Sequence, residues 1–132
     1  METFTIILLS PHPNPKEIIM WIFSETGFIS AVRKVDAPDV ITVRSRDRIS
    51  LESLAACANS EIVKSPNGDY PYRVFIDQNV FAKWAQEVAQ DIGYDNFKSH
   101  VAQVRGYDYA HNLHDVWAAM LRTEDEEALS AP

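Results

Sequence analysis

His100, His111, His114 and Asp115 are the residues of this chain best suited to chemistry. Positions three and four apart share a helix face, so His111 can stand beside His114 and Asp115. Neutral imidazole and carboxylate are ligands for zinc or a similar divalent ion. The short Gly106-Tyr107 corner could bring His100 in as a further ligand. A metal held there would activate water, which makes a metal-assisted hydrolase one reading of the chain. The helical wheel supports a plainer one. His111 and Asp115 fall opposite Leu113 and Met120, on the polar side, where an i,i+4 pair contributes only a few tenths of a kcal/mol. His114 borders the apolar stripe. The plainer reading, with no cofactor, is preferred and the divalent metal is its alternative.

Arg33, Lys34, Arg44, Arg46 and Arg48 place five of the 12 basic residues within a short stretch. Arg44 and Arg46 project from one strand face, and Arg73 joins them if its strand pairs as expected. Guanidinium groups grip phosphate or carboxylate as a fork. Arg33, Arg44, Arg46, Arg48 and Arg73 are therefore a candidate docking face for an acidic protein partner or a small anionic ligand. Otherwise they form the solvated side of a sheet, with Asp36, Asp39 and Asp47 as counter-charges.

Other chemistries leave no trace. The chain lacks a glycine-rich phosphate loop, a serine nucleophile elbow and a paired-cysteine motif. Cys57, the lone cysteine, has no neighbouring base and flanks an apolar stripe, so a buried structural thiol is expected. Two helices around Gly106 suggest helix-turn-helix, but the second carries Asp108, His111, His114 and Asp115, with Arg122 its only arginine. It lacks the side chains that read base edges, and sequence-specific DNA binding is not expected.

The elements that must position these groups follow from periodicity and turn chemistry. Trp21–Phe23 and Phe28–Val32 flank Ser24-Glu25-Thr26-Gly27, a hairpin signal. Val40–Arg46 alternates, with Ile41 and Val43 on one face and Thr42, Arg44 and Arg46 on the other. Asp47 or Ser50 can cap a helix bearing Leu51, Leu54, Ala55 and Ala58. Two further strands, Glu61–Lys64 and Tyr70–Asp77, surround Asn67-Gly68. Three helices complete the chain. The first follows Asn79 as cap and stops at Gly93, the second follows Asp95 and stops at Gly106, and the third follows Asp108 and runs to Arg122. Leu113, Val116, Trp117, Met120 and Leu121 give the last a broad apolar face. The expected fold is α+β: an antiparallel sheet of four to five strands, one early helix, and three C-terminal helices completing the core.

Length and charge bound the rest. A chain of 132 residues makes one domain, and 46% apolar with 23% charged residues excludes a disordered or fibrous chain. A net charge of −7 argues against general binding to nucleic acid or anionic membranes. The apolar run Phe4–Leu9 is too short to span a bilayer and has no signal-peptide flanks, so a cytoplasmic location with no membrane association is expected. Lys16-Glu17 is encodable as AAGGAG, a purine-rich ribosome-binding sequence two codons ahead of Met20, so one expectation is a native start at Met20 with residues 1–19 as translated upstream sequence. The expected division is an N-terminal extension or linker over 1–19, a domain over 20–122 and an acidic tail over 123–132.

Four stretches carry a resemblance: Met20-Trp21-Ile22-Phe23, Val43-Arg44-Ser45-Arg46-Asp47-Arg48, Tyr94-Asp95-Asn96-Phe97-Lys98-Ser99 and His114-Asp115-Val116-Trp117. In these the chain resembles a family of small uncharacterised bacterial and phage-associated proteins, over about residues 20–122. The resemblance implies a bacterial origin and transfers no activity or site residue. The function expected is a small non-catalytic interaction or regulatory domain, with the metal-assisted hydrolase as its alternative.

Overall fold

Alternating side chains and a two-residue turn build the first hairpin. Strands β1 (Glu17–Ser24) and β2 (Gly27–Lys34) pair from Glu17↔Lys34 to Ser24↔Gly27, closed by Glu25-Thr26. β1 thus begins ahead of Met20. The structure is a computed structural model describing residues 17–66 and 68–130, with the side chains of 125–130 left aside. The Phe4–Leu9 run, the prolines after it and Asn67 of the expected Asn-Gly turn lie outside the described residues.

β3 (Ala37–Ser45) pairs with β2, with a register shift at Arg33/Lys34, and β5 (Tyr72–Asp77) pairs with β3. The two-residue β4 (Val63–Lys64) lies outside β5, giving one antiparallel sheet in the order β1-β2-β3-β5-β4. Helices α1 (Ile49–Ala58), α2 (Gln78–Gln90), α3 (Phe97–Arg105) and α4 (Tyr107–Ser130) complete the described residues. The fold class is α+β. No helix among these residues is long and apolar enough to cross a membrane.

Because side chains alternate, cross-strand partners share a face. The row Met20–Ala31–Val43–Val74 lies on the side covered by α1 and α2. Ile29, Val43 and Val74 meet Leu51, Leu54, Phe81 and Trp84 there in one core. The Trp84 indole N–H donates to Ser53 Oγ at 3.3 Å, joining the two helices.

Helix starts differ from the expected positions by one or two residues. Asp47 Oδ1 accepts the Ser50 N–H and hydroxyl, both at 2.9 Å, ahead of α1. β5 runs straight into α2, so Asp77 caps it in place of Asn79, accepting the Asn79 N–H at 2.8 Å. Asn96 replaces Asp95 as the α3 cap, its Oδ1 accepting the Ser99 N–H at 2.9 Å. Asn96→Ala should therefore cost about 1 kcal/mol by urea unfolding, with Asp95→Ala near zero. Gly93 has no positive φ, because α2 has already ended at Asp91. α4 starts directly after Gly106 and continues past Arg122 to Ser130, over a sequence with no glycine or proline to stop it.

The largest difference concerns the last two helices. α2 joins the sheet core, whereas α3 and α4 pack on each other through Val101 and Ala110 and meet the sheet at the β1–β2 turn. The apolar face of α4 does not turn inward: Trp117 is 56% and Met120 59% exposed. Amphipathicity marks a surface that wants a partner, and here the sheet's helix side is already filled by α1 and α2.

Candidate functional site

Among the described residues no helix lies on the second sheet face; Trp21 and Phe75 are exposed there, while Ser30, Val32 and Thr42 at its centre are buried. Its rows run Trp21–Ser30–Arg44–Arg73–Val63 and Ile19–Val32–Thr42–Phe75. Arg44 and Arg73 are directly opposed across β3 and β5. Arg46, just beyond the end of β3, pairs with Asp69 at 2.6 Å. Neither Arg44 nor Arg73 has a carboxylate partner among the described residues. Arg44 donates to Ser30 Oγ at 2.9 Å and Arg73 to the Asp69 carbonyl at 3.1 Å, leaving the Nε–H of each without an acceptor.

Tyr70 organises this group. Its ring is buried, 4.6 Å from the Arg44 guanidinium carbon and 4.3 Å from that of Arg46, with Phe28 at 6.4 Å. Two cations against one ring gain from the ring's negative face. Tyr70 sits at φ +58, a left-handed conformation that a bulky residue adopts only when its surroundings hold it there. The strain directs the phenol beneath the guanidiniums in place of solvent. Trp21 and Phe75, 63% and 52% exposed, flank the cluster on the same face.

Of the arginines expected together, Arg44, Arg46 and Arg73 converge. Arg33 lies on the helix-covered face and donates to Gln78 Oε1 at 2.7 Å. Arg48 stands exposed at the start of α1. Tyr70 and Asp69 were not visible as members, because they sit in the turn after Asn67-Gly68.

The histidines divide between two places. His100 pairs through Nε2 with the Glu25 carboxylate at the β1–β2 turn and stacks on Tyr94 at 4.5 Å. His111 and His114 stack on each other at 6.1 Å along α4, with Tyr107 and Trp117 extending the ladder. Lys98 Nζ lies 3.5 Å from His114 Nδ1 and faces Trp117. His111 and His114 border an open groove with Lys98 and Tyr107. Asp115 is exposed and forms no ion pair with His111 among the described residues. No group of three or more His, Cys, Asp or Glu among them is placed to share an ion. Cys57 is exposed where a buried thiol was expected, since α1 turns only Leu51, Leu54 and Ala55 firmly into the core and leaves its flank to solvent.

Sequence reasoning missed Arg105, whose side chain is only 7% exposed. Its guanidinium donates to the Thr26 carbonyl, to Ser50 Oγ at 3.2 Å and to Asp47 Oδ1 at 3.2 Å. It also lies 3.7 Å from the Tyr109 ring centre, and Tyr109 Oη accepts the Phe28 N–H at 3.1 Å. This polar fastening sets α4 beside the open face. Phe23, Phe28 and Arg46 there share a groove with Leu113 and Val116 of α4. Compared with protein-family models, curated proteins and solved structures, the chain matches none.

Proposed function

We propose that this chain is a non-catalytic interaction domain whose open sheet face docks an acidic protein segment through Arg44, Arg46 and Arg73. The observation that carries this reading is the direct opposition of Arg44 and Arg73, with Asp69 the single carboxylate in the group and already paired to Arg46. Like charges directly opposite destabilise a sheet, and two unpaired Nε–H groups add to that penalty. A carboxylate-rich partner offsets the opposed like charges by pairing with the guanidinium groups. Arginines set among exposed aromatic residues also match the composition of protein interfaces, where such residues dominate the binding energy.

A decaglutamate peptide, titrated against the intact chain and followed by tryptophan fluorescence, tests the reading. Saturable binding that weakens with added salt is expected. The triple substitution Arg44→Ala/Arg46→Ala/Arg73→Ala should weaken it roughly tenfold to a hundredfold, as charge-assisted hydrogen bonds are lost. Binding indifferent to both salt and the substitutions would dismiss the arginine face.

A further inference from the structure

The second half of α4 has the complementary features. Val116, Trp117, Met120 and Leu121 form one stripe at three- and four-residue spacing, and they are 37–59% exposed. The sequence then continues through Glu124-Asp125-Glu126-Glu127, four of the chain's 19 acids. α4 has 24 residues and its companion α3 only 9, so about 20 Å of α4 extends beyond α3. The same stripe begins at Leu113 and Val116, in the groove shared with Phe23 and Phe28. Exposed apolar side chains therefore stand on both the sheet face and the projecting helix, with the Phe23–Leu113 groove between them. A monomer rarely leaves a patch of that extent in water.

We infer that a second copy of this chain covers it. Two protomers related by a two-fold axis each lay the distal half of α4 across the other's open sheet face. Trp117, Met120 and Leu121 meet Trp21, Phe23 and Phe75, and the acidic run meets Arg44, Arg46 and Arg73. This rests on the arginine-face reading above and names its acidic segment. One chain carries both halves of the match, which is what a two-fold interface requires. Charge selects the arrangement: in a chain of net charge −7, the arginine face offers four clustered acids Arg44 and Arg73, which have no carboxylate partner among the described residues. Area agrees. The exposed parts of these side chains and Val116 amount to roughly 700 Å² per protomer, close to the share each partner gives a standard interface.

Equilibrium sedimentation of the full chain with a charge swap tests the inference. The wild type should be dimeric at about 100 µM in low salt and dissociate as salt rises. One variant carries Arg44→Glu, Arg46→Glu and Arg73→Glu. The other carries lysine at positions 124–127. Each alone should be monomeric, with Kd raised at least tenfold, and the two mixed should form a heterodimer. Rescue on mixing excludes simple misfolding as the cause of dissociation. A wild type that stays monomeric, or a dimer that ignores the swap, overturns the inference. If the monomer still binds decaglutamate through its arginines, the arginine-face reading survives and only the second copy is rejected. If neither dimer nor peptide binding is seen, both fall.

Discussion

Arg105→Ala should release the last two helices from the sheet and lower the stability of the chain by about 3 kcal/mol. The guanidinium is almost wholly buried and spans three separate elements, reaching Thr26 in the β1–β2 turn and Asp47 and Ser50 at the start of α1. Its removal strands the Thr26 carbonyl and takes the cation from Asp47, while Tyr109 loses the group that covers its ring. For a domain of this size the loss corresponds to a fall in Tm of roughly 10 °C. Arg105→Lys should recover less than half, because an ammonium cannot reach two elements as a planar fork does. Melting curves followed by circular dichroism would show it. A change below about 1 kcal/mol for Arg105→Ala would mean that α3 and α4 are held some other way.

Gly27→Ala strikes the same junction from the strand side. A Cβ at Gly27 would stand 2.0 Å from Ser50 Oγ and 2.6 Å from an Arg105 nitrogen. Ser50 cannot retreat, since it is 1% exposed and both its N–H and hydroxyl are bonded to Asp47. The backbone at φ +145 is a second obstacle to any side chain. Overpacking and backbone strain together should cost about 3–4 kcal/mol. Gly106→Ala separates the two terms. Its φ is +96, but no atom lies within 4 Å of the added Cβ. Strain alone should then cost about 1–2 kcal/mol. Urea unfolding of the pair reads the difference. Equal losses would show that Gly27 is needed for its conformation and not for the close approach of α1.

The sheet was legible because its signals are local. Alternation over Val40–Arg46 assigned Arg44 and Arg46 to one face, and the strand at Tyr70–Asp77 brought Arg73 beside them. The junction was not legible. Arg105 next to Gly106 reads as an ordinary cation at a helix end, and nothing nearby in sequence announces an acceptor 79 residues away at Thr26. The stripe from Leu113 to Leu121 correctly marked an apolar surface on α4, but periodicity does not say which surface covers it. Tyr70 illustrates a third limit, because a left-handed φ in a tyrosine is imposed by packing against Phe28 and two arginines and not by its own preference. The histidine cluster separated for a related reason: Glu25 lies 75 residues from His100, yet it takes the imidazole to the hairpin turn.

Arginine side-chain NMR measures the docking face most directly, since Arg44 and Arg73 each hold an unpaired Nε–H on the open face, and Arg33 holds one on the covered face. On adding decaglutamate, the Nε–H resonances of Arg44 and Arg73 should shift together along one saturating curve, while that of Arg33 stays in place. Shifts confined to α3 and α4, or an equal response from Arg33, would contradict docking on the open sheet face.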